Sequence, residues 1–400
     1  MSAKTLAQLV DGAPLVVCLG PGGVGKTTLS AVLALRQAAA GHKALVLTID
    51  PARRLADALG LPGLPTDAAE VRSFLKMHPK GSLSALMLDP TATFDHLIAM
   101  LVVDPERRAQ LLGNRFYQNM SRSLAGTLEY MAVERLHDLM RTGAFDAIVL
   151  DTPPTTNALD FLDAPDRLSS FFSERVTRWF MPSQRAKDSW TSKILSRAGS
   201  VALTLMGTVA GEDFAKETAG FFGAFSDLLG SFRARGVEVG KLLRDPRTAF
   251  LIVCAPDETR LAEAQEIDRR LAQAGCRAHG FVVNRVDEPF VPEEGELERA
   301  GERATELLGG EDERPRVKAF VERLDLMRKE HAEGAAVHSR VVAALRSWAA
   351  PRPVFVAPRI SASQSPRASL LALYIGLFAE SVHADAHASD PSPVRRVTDA

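Results

Sequence analysis

Residues 14–28 read Pro-Leu-Val-Val-Cys-Leu-Gly-Pro-Gly-Gly-Val-Gly-Lys-Thr-Thr, and the fold follows from them. The first six residues are a short aliphatic run closed by glycine, which predicts a buried β-strand. Gly20 to Thr27 then satisfy the pattern G-x-x-x-x-G-K-[ST] and lead directly into helical sequence over 28–40. Glycines let such a backbone curl until successive N–H groups converge on phosphate oxygens, and the helix that follows adds its positive N-terminal end. Gly22, Gly23, Val24, Gly25, Lys26, Thr27 and Thr28 are therefore the candidate phosphate-binding residues; Pro21 has no N–H to contribute. Lys26 is expected to neutralise the β and γ phosphates, and the Thr27 hydroxyl to ligate Mg²⁺. The alternative is a Gly-rich turn with an incidental lysine, and the flanking strand and helix speak against it.

Working outward, similar runs recur at 44–49, 84–88, 147–150, 250–254, 280–283 and 353–357. They are nearly all apolar, they do not alternate, and helical patterns separate them, which suits a parallel sheet covered on both faces in an α/β layer architecture. Ligands of such sheets bind beyond the carboxyl ends of the strands. Two acids stand there: Asp50 after the second run and Asp151 after 147–150. Asp151 fits a Mg²⁺-linked carboxylate beside the phosphate loop. By position alone Asp50 suits a catalytic acid or a turn acid equally.

About a hundred residues between the strands at 147–150 and 250–254 have a different character. Leu168, Phe171, Phe172, Val176, Trp179 and Phe180, then Phe214, Phe221, Phe222, Phe225, Leu228, Leu229 and Phe232, recur at helical offsets. An inserted α-helical subdomain over about 163–245, joined by 95–140, is expected. Residues 287–314 carry eleven acidic and three basic side chains, the signature of a solvated insertion with at most a surface helix. The tail from 383 to 400 has almost nothing to bury and is expected to be disordered.

Among 400 residues, 48 Lys+Arg offset 49 Asp+Glu, so the bulk positive charge of a nucleic-acid protein is missing and no nucleic-acid partner is expected. Three scattered cysteines exclude a disulfide framework and a CxxC zinc pair. Neither a leader nor a membrane span is legible, which leaves a cytoplasmic location as the expectation, with peripheral membrane attachment open.

These motifs resemble the ArsA-type ATPase family, which includes the arsenite-pump ATPase and the tail-anchored-protein targeting ATPase. The resemblance rests on Gly-Gly-Val-Gly-Lys-Thr-Thr at 22–28, on Thr48-Ile49-Asp50-Pro51-Ala52, and on Asp151-Thr152-Pro153-Pro154-Thr155. It implies a P-loop NTPase fold with a mainly parallel, doubly wound sheet. It further implies ATP and Mg²⁺ as cofactors, Asp50 as the residue that orients the attacking water, and Asp151 as the start of a second switch. Asn284, ending the run at 280–283, looks like the family's adenine-reading asparagine. A homodimer, or a heterodimer with a related ATPase, is implied as well.

Three departures from the pattern stand out. The family's second P-loop lysine is replaced by Pro21, so the charge it would extend to a partner's nucleotide is absent. Arg53 or Arg54 could supply a cation in its place, or both could lie on a solvated face or pair with Asp57. The paired cysteines that hold zinc in the targeting ATPase and the clustered cysteines that bind arsenite are also missing, so no structural zinc is expected. The reading that results is a Mg²⁺-dependent ATPase whose dimer opens and closes, rearranging a helical surface for a hydrophobic client helix or a membrane-associated partner. A nucleotide-switched scaffold with little turnover and a ParA/MinD-like positioning ATPase are the alternatives.

Overall fold

The structure is a computed structural model that describes residues 4–50, 54–64, 66–71, 80–102, 104–113, 128–153, 234–288, 295–308, 313–360 and 365–388. Most of the expected helical subdomain (163–233), Arg53 and the end of the tail lie outside these residues.

Eight strands form one sheet: β1 (Leu15–Leu19), β2 (Lys43–Thr48), β3 (Ala69–Glu70), β4 (Ser82–Met87), β5 (Ala147–Asp151), β6 (Thr248–Cys254), β7 (Ala278–Val286) and β8 (Val354–Pro358). Their order is β3-β4-β2-β5-β1-β6-β7-β8. All pairings are parallel except the antiparallel one between β3 and β4 at the edge. The seven apolar runs are the seven parallel strands. The edge strand β3 is two exposed residues long, so no hydrophobic pattern marks it in the sequence.

Every residue of β1 is buried, because both faces of the sheet are covered. Leu15, Val17 and Leu19 join one apolar cluster and Val16 and Cys18 the other, the alternation that a pleated strand imposes. On the first face lie α4 (Pro90–Leu101), α5 (Pro105–Gly113), α6 (Leu128–Thr142), α7 (Glu258–Gln273) and the second half of α9 (Arg314–Ala349); on the second lie α1 (Leu6–Asp11), α2 (Lys26–Ala39), α3 (Arg54–Leu59) and α10 (Pro366–Ala388). Truncating a fully buried side chain such as Leu15 to alanine would cost about 2–5 kcal/mol. Among the described residues no helix is long and apolar enough to cross a membrane.

Helices α4 and α6 bring Phe94, Leu97, Ile98, Met131 and Leu136 into the cluster on the sheet, so this part of the chain helps to cover the sheet. The last helix continues to Ala388, six residues into the expected tail. Alanine has the highest helix propensity, and three of residues 383–388 are alanine. The acidic segment carries α8 (Glu296–Leu308), which has no buried residue.

Candidate nucleotide site

The sheet order places the candidate residues in one row. Beyond the carboxyl ends of β2, β5 and β1, which are consecutive neighbours, stand Asp50, Asp151 and the loop 20–25. Strands are spaced by about 4.8 Å, so Asp50 and the loop lie within one ligand's length of each other. Registration is direct: Thr48 and Cys18 are the Cα partners of Asp151 on either side.

The loop has its conformation because of its glycines. A side chain at Gly20 would run into the backbone carbonyl of Val253, and one at Gly25, where φ is +90°, into the Asn284 amide. Gly25 also begins α2 without any side-chain cap, so the N–H groups of the first turn point outward as anion donors. Lys26 is buried and folds back over the loop, donating to the carbonyls of Gly20 and Pro21 at 2.8 Å each. Burial lowers its pKa to about 8, against the opposing pull of Asp151, Cys18 and Asp50. An anion placed beside this ammonium would relieve that cost.

Asp151 is fully buried and accepts from Thr48 Oγ1 at 2.9 Å and, at 3.4 Å, from Ser30 Oγ. Desolvation raises its pKa to about 6, while the Thr27 and Thr48 hydroxyls and the charge of Lys26 pull the other way. Thr152 Oγ1 donates to Cys18 O at 2.7 Å and pins the start of the next segment to β1. The carboxylate of Asp151 beside the Thr27 hydroxyl is a hard-oxygen pair of the kind Mg²⁺ selects, and with phosphate oxygens it fits that ion. When bound, Mg²⁺ would supply Lewis-acid charge to the phosphates.

Asp50 is buried, takes its backbone N–H to Thr48 Oγ1 at 3.2 Å, and pairs with Arg54 at 3.3 Å. A cavity of about 410 Å³ joins these groups: Gly23, Gly25, Lys26, Thr27 and Thr28 line one wall, Asp50 and Arg54 another. Its size falls within the roughly 300–1,000 Å³ typical of small-molecule sites. Arg54 therefore faces the cavity and holds Asp50 in place of Asp57. Asn284, the expected adenine contact, touches the phosphate loop. It is buried, donates from Nδ2 to Val24 O at 2.8 Å, and accepts the Arg285 N–H at 3.0 Å, so its amide braces the phosphate loop.

A profile of the family described as anion-transporting ATPase matches residues 14–297, well over half the chain. The chain belongs to the ArsA-type ATPase family. This ATPase is 27% identical over 284 residues to ATPase GET3 of Malassezia globosa, covering 70% of this chain and 76% of that protein. It is 28% identical over 287 residues to ATPase GET3 of Podospora anserina, with 70% and 76% covered. It is 27% identical over 289 residues to ATPase get3 of Schizosaccharomyces pombe, with 70% and 77% covered. Membership makes the chain an ATP hydrolase.

The sequence reading gave no role to Thr48, Ser30, Arg285, Pro366 or Ser369. The last three line the cavity. Thr48 had a visible signal, a hydroxyl ending an otherwise apolar strand two residues before an acid; for Pro366 and Ser369 the resemblance reached only as far as the loop after Ala357, expected beside the adenine, and named neither residue.

Proposed function

We propose that this ATPase hydrolyses ATP with Mg²⁺ held by Thr27 and Asp151, and that it couples turnover to opening and closing of a dimer which rearranges a helical surface for a client or partner. The single observation that supports the catalytic part is the buried Asp50 carboxylate lining the same cavity as Lys26 and Thr27. An acid in that position can align water against a terminal phosphate that the loop holds still. Lys26 binds and orients the phosphates, while Arg54 supplies a permanent cation beside Asp50. The resemblance to the targeting ATPase supports a hydrophobic helix as the client.

Asp50→Asn is expected to lower ATP turnover by about 10²–10⁴-fold with ATP binding retained, and Lys26→Ala to abolish binding and turnover together. Circular dichroism should show both variants folded, and unchanged hydrolysis by Asp50→Asn would reject the role given to it. Light scattering with and without Mg²⁺-ATP should show a nucleotide-dependent dimer, and an unchanging monomer would reject the coupled cycle. The Asp50–Arg54 ion pair favours a second reading, a switch with little turnover, because a guanidinium on the carboxylate competes with the attacking water for the same oxygens. Arg54→Ala separates the two: turnover falls if Arg54 stabilises phosphate charge and rises if it restrains Asp50.

A further inference from the structure

The end of β7 is irregular at the point where it meets the cavity. From Val283 to Val286 this strand takes three steps while β8 takes two, Val356 to Pro358, so one extra residue is inserted as a β-bulge. Bulges re-aim side chains and concentrate beside active sites. The residue that absorbs this one is Arg285, at φ +62°, the only non-glycine at positive φ among the described residues. Glycine adopts that conformation without penalty, and a long side chain there is tolerated at a cost. The bulge turns Asn284 inward to the phosphate loop and leaves Arg285 exposed along the cavity wall. No acid among the described residues pairs with its guanidinium.

The sheet order says which part of a nucleotide that wall would meet. The phosphate loop follows β1; Asp50 lies two strands to one side, after β2, and Arg285 two strands to the other, on β7. With phosphates on the loop and the terminal one toward Asp50, the nucleoside extends toward Arg285. At that end Asn284 is buried against the loop, and Arg285 is the exposed polar side chain of β7.

We propose that Arg285 holds the nucleotide by its base, the guanidinium plane stacked on the ring face. Arginine stacks on π faces where lysine, a point charge, does not. A guanidinium on a ring face is worth about two- to thirtyfold in affinity, more as water is excluded. The proposal rests on the ATP reading above, and its test separates the two.

ADP is titrated calorimetrically into the full chain, its Arg285→Gly and its Arg285→Lys variants, and inorganic tripolyphosphate is competed against ADP in each. Glycine suits the bulge, so Arg285→Gly should melt no lower than wild type without ligand. Its affinity for ADP should fall about tenfold, Arg285→Lys should fall nearly as far, and the affinity for tripolyphosphate should stay within about twofold. Unchanged ADP affinity in Arg285→Gly would overturn the proposal. So would restoration by lysine, or an equal loss for tripolyphosphate, either of which makes Arg285 a phosphate contact. Failure of the wild-type chain to take up ADP would sink the nucleotide reading itself.

Discussion

Gly23 and Gly25 both have positive φ, +76° and +90°, so alanine at either site carries a similar backbone penalty of about 1–2 kcal/mol. Their surroundings differ. Nothing lies within 4 Å of a Cβ at Gly23, whereas one at Gly25 meets the Asn284 amide that braces Val24. Gly25→Ala should therefore destabilise the ligand-free protein by about 1–3 kcal/mol more than Gly23→Ala, as overpacked sites do. In urea unfolding, adding Asn284→Ala should recover part of that excess, and strictly additive losses would show that the two residues do not press on each other. At this scale the sequence was legible where chemistry dictates residue type in a contiguous motif. Lys26, Thr27, Asp50 and Asp151 could be placed from order and spacing. What could not be read is that Asn284 also braces Val24, 260 residues away, because the bulge that turns it appears only when β7 is laid against β8.

Among elements, the parallel strands were readable because each is an apolar run buried on both faces. The terminal helix was not, because it owes its position to contacts with distant segments. Arg36 on α2 makes a two-pronged ion pair with Asp11 at the end of α1, at 2.9 and 2.6 Å. The same guanidinium lies 5.6 Å from the ring centre of Phe378 on α10. One cation thus ties three helices on the face of the sheet that carries α2. Asp11→Ala strips the acid from a side chain only 10% exposed. Asp11 is itself 29% exposed, and water weakens the pair, so the loss should be about 1–3 kcal/mol, below that of a fully buried ion pair. Arg36→Met keeps the apolar contact with Phe378 and removes the charge that needs a partner, and should cost less than Asp11→Ala in the same denaturant titration. The reverse order would mean that packing by the arginine stem outweighs its charge.

For the molecule as a whole, the covered sheet leaves its cysteines without access to water, and this has a global consequence at alkaline pH. Cys18 and Cys254 are buried and each is pushed up from about 9 to about 12 by desolvation, with Asp151 and Asp257 adding to the rise. In the unfolded chain these thiols lose their protons near pH 9; in the folded protein they keep them until about pH 12. Above pH 9 the folded state binds more protons, so stability falls as pH rises through that window and is unaffected by these groups below it. At pH 10 a thiol with an unfolded pKa of 9 contributes about 1.4 kcal/mol of loss relative to pH 8, or about 3 kcal/mol for the pair. Lysines and tyrosines add their own slope, so the comparison is made against a Cys18→Ala/Cys254→Ala double variant. Its lower starting stability from the lost sulfurs drops out when only the change between pH 8 and pH 10 is read. Wild type should lose about 3 kcal/mol more than the variant over that interval in urea titrations. Equal losses would mean that the thiolates form without opening the two sheet faces, and that the core around β1 and β6 admits water.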